Sequence, residues 1–329
     1  MAHMFERLRE GGWSPVTVQD EYVYTSYFAL SHAPFSYEQN WAFIAQETRF
    51  GAMKYEDNGL LLTAVIKAED SGFIFILPPC GDTSDFGLRI AGVAAELAAR
   101  STRRVVLRKL PLELYQQVLS TNRFRTIPAS AFIHPRDVPE DQFPQVVIDI
   151  SATLAMQGAK FRRLRNNISY FARQCKPEVL NLRPSICKEV INCIAAWSRN
   201  YNQKHAGRSL DAEEPTVDLT AYTVLAEQFA PLIDNSKYFA KVLRVDGCLV
   251  AVTLAGISGN DCAAQYVNLS ALRVRGCAEF IVLELLRELS RAGLLYLNMG
   301  GAETEGQFLF KKKFDVHLLK ESFEVEYIQ

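Results

Sequence analysis

The stretch Arg273-Val274-Arg275-Gly276-Cys277-Ala278 decides the fold that we expect, because it joins a strand pattern to a helix pattern. Cys262 to Leu269, before it, is apolar and β-rich, and Glu279 to Leu289, after it, has apolar residues at helical spacing. A small-residue turn that opens a helix leaves backbone N–H groups without intrahelical partners, and the helix dipole adds positive potential there. With Arg273 and Arg275 beside it, the turn predicts a site for a phosphate or a pyrophosphate.

Strand and helix patterns follow one another on both sides of this turn. Asp246-Gly247 and Gly259-Asn260 suit tight hairpin turns between three β-rich runs. Leu294–Met299 has no polar alternation before Asn298, as expected of a strand that is covered on both faces. The end of the chain, Leu318–Ile328, alternates as an edge or hairpin strand does. The three runs are Tyr238–Val245, Cys248–Ile257 and Cys262–Leu269, and before them we predict a strand at Val146–Ile150 and helices at Lys160–Cys175, Ser185–Tyr201 and Asp218–Leu232.

The first half of the chain alternates strand and helix patterns in a looser version of the same order. Leu60–Ala68 and Phe73–Leu77 predict a hairpin, and Asp85–Arg100 repeats apolar residues at helical spacing. Three prolines and several acidic residues make His134–Pro144 the best candidate linker. Smaller elements are predicted at Arg104–Leu107, Pro111–Leu119 and Phe132–His134.

The length of 329 residues allows one large or two medium domains, and a chain that is 49% hydrophobic and 22% charged has the composition of an ordinary globular protein. With the repeated order of elements, this predicts an α/β fold with mixed α+β sheets. We expect two related domains in tandem, at residues 1–144 and 145–329. A single mixed α/β domain is the alternative.

Net charge and cysteine usage narrow the class of protein. A formal net charge of −1 argues against a protein that coats nucleic acid by bulk electrostatics. No apolar stretch reaches the length of a membrane span and the start lacks a signal peptide, so we expect a cytoplasmic protein. The seven cysteines are scattered and form no Cys-x-x-Cys pair, which indicates buried free thiols rather than disulfides or a structural metal site.

The predicted helix that begins near Lys160 is purely cationic, since it contains no acidic residue. One face is apolar, and Arg162, Arg165, Arg173 and Lys176 fall along one flank. Surface helices normally mix both charge signs, so this helix indicates a polyanionic ligand: a tRNA backbone, the phosphates of CoA or a phospholipid headgroup. The alternative is a solvated basic face without a ligand.

A second cluster follows the predicted strand Leu294–Met299. Gly300 and Gly301 come directly after that strand and allow a ligand to approach the backbone closely. We expect the lysine run Lys311-Lys312-Lys313 to contact phosphate. The alternative is a run at the end of a helix that faces water. Glu303, just past the two glycines, is the best placed carboxylate for a general base, and its alternative is an exposed loop acid.

Three of these motifs resemble those of known families. Arg273-x-x-Gly276-x-Ala278 resembles the donor-binding loop of GCN5-related N-acyltransferases (GNAT). The helix from Lys160 to Phe171 resembles the Lys-x-x-x-x-Arg-Asn-x-x-x-x-Phe helix of the phosphatidylglycerol lysyltransferase C-terminal-domain family. Leu297-Asn298-Met299-Gly300-Gly301 and Phe310-Lys311-Lys312-Lys313-Phe314 are similar to the closing signature of that same family.

The resemblance implies a tandem GNAT fold that moves an aminoacyl group, often from aminoacyl-tRNA, to an amine or a hydroxyl. It also implies that cations of the basic helix and of the lysine run hold the phosphates of the donor, and that Asn298 and Gly300 line the reaction cleft. The donor-site residues that we predict are Arg162, Arg165, Arg273, Arg275, Gly276, Cys277, Ala278, Gly300, Gly301, Lys311, Lys312 and Lys313.

The expected reaction is direct transfer to a small-molecule or peptide acceptor. The sequence has no Gly-x-Ser-x-Gly elbow for a serine nucleophile, which disfavours a covalent enzyme. Tyr266 or Tyr296 is a candidate to protonate the leaving group, although tyrosines in strands are usually packing residues. We expect no tightly bound cofactor, and aminoacyl-tRNA or acyl-CoA as the donor. An acyl-CoA-dependent N-acyltransferase and a non-catalytic phosphate- or nucleotide-binding module are the alternatives.

Overall fold

The structure is a computed structural model that describes residues 2–31, 37–48, 51–66, 72–127, 144–205, 237–270, 274–302 and 305–328. It divides into two compact units: Met1–Pro135 with Glu321–Gln329, and Arg136–Lys320. The predicted strand at Phe132–His134, the predicted helix at Asp218–Leu232 and most of the predicted linker His134–Pro144 lie outside the described residues.

The first unit has a mixed sheet with helices packed against it. Its strands run in the order β1-β2-β3-β4-β6-β15-β7, with β5 beside β3. The helices are α1 (Ala2–Glu10), α2 (Glu21–Leu30), α3 (Trp41–Glu47), α4 (Phe86–Ser101) and α5 (Leu112–Ser120). The strands are β1 (Ser14–Pro15), β2 (Ala52–Asp57), β3 (Leu60–Val65), β4 (Phe73–Ile76), β5 (Cys80–Gly81), β6 (Arg104–Leu110), β7 (Phe124–Thr126) and β15 (Phe323–Tyr327).

The core of the first unit lies between the sheet and α4. Phe86, Ile90, Ala94 and Leu97 recur every three or four residues along α4, and all four are buried. The antiparallel pair β3–β4 and the helices α4 and α5 lie where the sequence predicts them. β4 and β6 are parallel, and α4 connects them.

The structure differs from the prediction of one edge or hairpin strand at Leu318–Ile328. That segment is two strands, of which β14 (Val316–Lys320) belongs to the second unit, whereas β15 lies between β6 and β7 in the first. Val325 is fully buried there, and the Glu326 carboxylate binds Arg104 of β6 and Arg125 of β7. The C-terminal strand is therefore part of the first unit, whereas residues 136–320 form the second unit.

The second unit also has a mixed sheet, in the order β14-β8-β13-β12-β11-β10-β9. Its helices are α6 (Ile150–Ala155), α7 (Arg162–Cys175), α8 (Cys187–His205), α9 (Cys277–Arg291) and α10 (Glu305–Lys311). Its remaining strands are β8 (Gln145–Asp149), β9 (Glu178–Asn181), β10 (Tyr238–Val245), β11 (Cys248–Ile257), β12 (Cys262–Ser270) and β13 (Tyr296–Asn298). β12 and β13 are parallel, and the other neighbours in this sheet are antiparallel.

Helix α9 is the central helix of the second unit. It packs against α7 and against β10, β11 and β12. Its buried residues Ile281, Val282, Leu285, Leu286 and Leu289 follow helical spacing, as the sequence predicts, and they meet core residues of the sheet. α9 follows β12 in the chain, so its first turn lies near the C-terminal end of that strand, at one end of the sheet.

Strands β12 and β13 separate partway along their length. Their last paired residues are Ala264 and Asn298. Beyond that point the chain after β13 bonds to β8, because Met299 N donates to Val146 O and Val146 N donates to Gly300 O. β12 continues instead along β11, and the register passes from Ala255–Gln265 to Leu254–Val267, so that Tyr266 is the bulged residue. A gap between the two strands opens at this position.

Within the described ranges, no helix combines the length and the apolar character that a membrane span requires. In the same residues, no three His, Cys, Asp or Glu side chains lie close enough together to hold a metal ion. All seven cysteines are free thiols; four of them are buried, and Cys248 is exposed.

Candidate functional site

A cavity of about 400 Å³ lies in the second unit at the first turn of α9. It is bounded by α7, by the end of β12, by the turn that precedes α9 and by the segment that follows α10. Its lining residues are Arg163, Asn167, Ser270, Val274, Arg275, Gly276, Ala278, Glu279 and Lys313.

The three cationic segments singled out in the sequence each contribute one side chain to this cavity. Arg163 comes from α7, Arg275 from the turn before α9, and Lys313 from the lysine run after α10. The cavity also contains the Glu279 carboxylate, so three cations against one anion give it a formal charge of +2. Positive charge beside the backbone of a helix start favours an anionic ligand.

Hydrogen bonds connect four of the lining side chains in a chain across the cavity. Arg275 Nε donates to Asn167 Oδ1 at 2.5 Å, and Asn167 Nδ2 donates to Glu279 Oε1 at 3.0 Å. Lys313 Nζ donates to the same Glu279 oxygen at 2.8 Å. Because its two ends face a cation and a carboxylate, the Asn167 amide can take only one orientation. The network fixes the side chains around the cavity before a ligand arrives.

Glu279 is ionised in this network although it is only 5% exposed. Burial raises the pKa of its carboxyl, but the hydrogen bonds from Lys313 and Asn167 and the positive charge of Lys313 more than offset this effect. The pKa of Glu279 therefore lies below its ordinary value. Folding therefore stabilises the ionised form of the Glu279 carboxyl relative to the protonated form.

Replacing Glu279 by glutamine should make the stability of the second unit less dependent on pH. A carboxyl whose pKa is lowered by folding contributes stability above its unfolded pKa of about 4.3, and this contribution is lost as the pH falls through the folded pKa. We expect E279Q to cost about 1–3 kcal/mol near pH 7, because Lys313 loses its charged partner, and progressively less below pH 5. Urea titrations of both proteins between pH 3 and 7 measure this, and a constant difference over that range would contradict it.

Gly276 brings the first turn of α9 against the backbone of α7. Its φ is +92°, in the left-handed region. A Cβ atom at this position would lie 2.0 Å from the Asn167 carbonyl oxygen and 3.1 Å from Phe171 Cβ. The close approach of the two helices, and with it the position of Asn167 in the cavity, requires glycine here.

Four of the predicted donor-site cations lie outside the cavity lining. Arg162 is exposed and is absent from the cavity lining, and the Arg165 guanidinium donates to the carbonyls of Met156 and Gly158. Lys311 Nζ donates to the carbonyls of Gly300 and Gly301, so its ammonium closes the turn after β13. Lys312 is exposed and lies over the ring of Phe308. None of these four side chains lines the cavity that holds Arg163, Arg275 and Lys313.

Two other predicted site residues, Asn298 and Tyr266, lie near the gap between β12 and β13. Asn298 is fully buried; it donates to Gln145 and accepts a bond from Gly300 N, so it supports the strand end instead of facing a cleft. Tyr266 is the bulged residue of β12 and is 7% exposed. Cys277 is buried at the start of α9, in contact with the core. Glu303 and Arg273 lie outside the described residues, and their roles stay predictions.

Five residues that line the cavity are not among the predicted site residues: Arg163, Asn167, Ser270, Val274 and Glu279. A signal for Asn167 exists in the sequence, since it occupies a core-facing position of α7 between Leu164 and Phe171 at helical spacing. A polar residue in such a stripe requires a buried partner. Arg163 lies one helical turn before Asn167 and therefore on the same face of α7.

The chain matches a sequence model of the family described as "Phosphatidylglycerol lysyltransferase, C-terminal" over residues 55–319. A search of the curated proteins finds no match to the chain.

Solved structures with a similar fold cover nearly the whole chain. A conserved protein of unknown function from Bacteroides thetaiotaomicron has a TM-score of 0.77 at 14% identity, over 96% of this chain and 99% of that one. The C-terminal domain of a putative lysylphosphatidylglycerol synthetase from Agrobacterium fabrum has a TM-score of 0.61 at 17% identity, over 94% and 92%. A tandem GNAT protein from the clavulanic acid biosynthesis pathway has a TM-score of 0.50 at 10% identity, over 95% and 97%.

At these identities the likeness shows the fold. The prediction of a mixed α/β fold made of tandem GNAT-like halves is confirmed by the two mixed sheets and by these similar structures. The match of the family model covers 265 of the 329 residues, from 55 to 319, which is well over half of the chain. The chain belongs to the phosphatidylglycerol lysyltransferase C-terminal-domain family.

Proposed function

We propose that this protein transfers an aminoacyl group from aminoacyl-tRNA to an amine or hydroxyl acceptor by direct transfer. The observation that carries the proposal is the cavity at the start of α9, where Arg163, Arg275 and Lys313 meet around the backbone of Gly276 and Ala278. The family name supports an aminoacyl group as the cargo. The cavity supports an anionic carrier for that group.

The positions of the cavity and of the strand gap support a carrier that reaches from one to the other. Ser270 lines the cavity at the end of β12, and Tyr266 marks the bulge beside the gap. Four strand residues at about 3.3 Å each place these points about 13 Å apart along β12. A donor whose phosphate lies in the cavity can present its activated carbonyl at the gap.

The proposed chemistry is attack of the acceptor on the aminoacyl ester. The acceptor nitrogen or oxygen forms a bond to the ester carbonyl carbon, and the bond from that carbon to the 3′ or 2′ oxygen of the terminal ribose breaks. A proton leaves the acceptor, and a proton reaches the departing ribose oxygen. The ester is already activated, so alignment supplies much of the rate, about 7–11 kcal/mol in well-oriented cases.

Groups at the gap between β12 and β13 are the candidates for stabilising this reaction. Backbone N–H groups of β12 beyond Ala264 no longer face β13 and can donate to the tetrahedral oxyanion. Tyr266 is the candidate donor of the proton to the departing oxygen, and Glu303 stays the predicted general base. The roles of Tyr266 and Glu303 can be tested separately, because substitutions at these two residues affect different proton transfers.

The exposed face of α7 supports tRNA as the carrier. Arg162, Arg163 and Arg173 are exposed on this helix, and among the described residues neither Arg162 nor Arg163 has an ion-pair partner. Tyr170, on the same helix, is 43% exposed and offers a ring on which a base can stack. Cations and an exposed aromatic ring beside the cavity suit a single-stranded nucleic acid end.

Thermal stabilisation by candidate donors tests the proposal. At 100 times its dissociation constant, a bound donor should stabilise the folded protein by about 2.7 kcal/mol. We expect this shift with mixed aminoacyl-tRNA and not with CoA or acetyl-CoA. Deacylation of the aminoacyl-tRNA in the presence of amine acceptors, followed by mass spectrometry of the product, then measures transfer. A shift with CoA alone would favour the acyl-CoA-dependent N-acyltransferase, and no shift with either would favour a non-catalytic module.

A further inference from the structure

A carboxylate already occupies the first turn of α9, where the carrier phosphate is proposed to bind. Glu279 is the third residue of this helix, and its side chain is buried. The same carboxylate accepts bonds from Asn167 Nδ2 at 3.0 Å and from Lys313 Nζ at 2.8 Å. One of the three cations of the cavity is thus engaged by an anion of the chain itself.

The remaining positive charge of the cavity comes from Arg163 and Arg275. Arg275 donates through Nε to Asn167, which leaves the other guanidinium nitrogens for a ligand. Arg163 is exposed at the rim and lacks an ion-pair partner among the described residues. Two guanidinium groups suit one phosphodiester, which carries one negative charge.

A pyrophosphate would meet a different balance of charge. Its two phosphate groups carry at least two negative charges and need several backbone donors at a helix start. Here the second phosphate would approach the Glu279 carboxylate, which is 5% exposed and held in place by two side chains. Two anions that compete for the same donors in a partly buried site repel each other strongly.

We infer that Glu279 is a specificity-determining residue: it admits a carrier with a single phosphodiester at the start of α9 and rejects a carrier with a pyrophosphate, such as an acyl-CoA. This inference rests on the proposed function, because it concerns the choice of donor at the same cavity. Glu279 acts here through its fixed charge and its bond to Lys313, and not by touching the reacting carbonyl.

Calorimetric titration with inorganic pyrophosphate, CoA and orthophosphate tests the inference. We expect wild-type protein to bind pyrophosphate no more tightly than orthophosphate, and E279Q to bind both pyrophosphate and CoA at least about tenfold more tightly than wild type does. Adding R275Q to E279Q should remove the gain, which locates the bound pyrophosphate at this cavity. Orthophosphate affinity should change less than the affinity for the two pyrophosphate ligands.

Glu284→Gln is the matched control, because it removes a carboxylate from the same helix outside the cavity, where Glu284 pairs with Arg287. It should leave all three affinities at their wild-type values. Equal pyrophosphate affinity in wild type and E279Q would overturn the inference. If E279Q fails to fold, tight binding of pyrophosphate or CoA to wild type overturns it, and binding no tighter than that of orthophosphate supports it.

The transfer assay separates this inference from the proposed function. Wild-type protein that transfers aminoacyl groups and also binds pyrophosphate tightly refutes the role of Glu279 and leaves the proposed function standing. Wild-type protein that accepts no aminoacyl-tRNA, but whose E279Q variant gains CoA affinity, refutes the proposed function and retains Glu279 as the group that excludes pyrophosphate.

Discussion

Replacing Gly276 by alanine should lower the free energy of unfolding of the second unit by about 3–5 kcal/mol, as the sum of a strained backbone and a steric overlap. The strain arises because φ is +92° at this position, where an L-residue is disfavoured. The overlap arises because the new Cβ would lie 2.0 Å from the Asn167 carbonyl oxygen, which belongs to the backbone of α7 and cannot rotate away. Either α9 must move away from α7 or α7 must bend, and both changes displace Asn167 from the cavity.

Gly293→Ala at the other end of α9 is the matched control for this prediction. Its φ is +82°, close to that of Gly276, but apart from its chain neighbours no atom of the described residues lies within 4 Å of the position that a Cβ would take. We expect G293A to cost only the backbone strain, about 1–2 kcal/mol. Hydrogen exchange of the amides of α7 and α9 in increasing urea reports the two variants separately from the first unit. Equal losses in G276A and G293A would contradict a tight contact between the two helices.

In this fold, the spacing of apolar residues predicts most helix positions, but it does not predict which sheet a strand joins. The stripe Ile281–Leu289 predicts α9, and its start moves only from Glu279 to Cys277, because small residues also fit a first turn. Leu318–Ile328 has a suitable alternation for one strand, yet it divides between two sheets. The partners of β15 lie about 200 residues earlier in the chain, as in the Arg125–Glu326 pair. Local patterns do not encode such pairing.

The sequence also predicts which segments form the cavity, but not which side chain of each segment enters it. The choice depends on the rotation of each helix about its axis. Gly276 lies against the backbone of α7 at Asn167, and both Asn167 and Arg163, one turn earlier on the same face, line the cavity. Arg165 then faces the carbonyls of Met156 and Gly158. The contact between α7 and α9 at Gly276 therefore decides which side chains line the cavity. The spacing of residues in one sequence does not reveal this contact.

Replacing both Arg163 and Arg275 by glutamine should lower the affinity for aminoacyl-tRNA by at least about 10²-fold, taking about 1.5 kcal/mol for each hydrogen bond to a charged group. The variant loses the hydrogen bond from Arg275 Nε to Asn167 Oδ1, but both side chains are exposed, so it should still fold. Because two phosphate contacts are lost, the slope of log affinity against log salt should become shallower by about 1.4, the value for a single-stranded end. These cations bind the carrier in the ground state and the transition state alike. Transfer at saturating donor should consequently be little changed, with the loss appearing in KM.

Arg183→Gln with Arg291→Gln is the control for net charge, since it removes two exposed cations from the same unit without touching the cavity. Arg291 lies at the far end of α9, about 20 Å from Gly276 at 1.5 Å per residue, which is more than two Debye lengths at physiological salt. This control should retain the wild-type affinity and the wild-type salt slope. Equal losses in the two double variants would mean that the protein attracts tRNA by its overall charge. In that case, the convergence of α7, the Gly276 turn and the lysine run on one cavity would have no part in holding the donor.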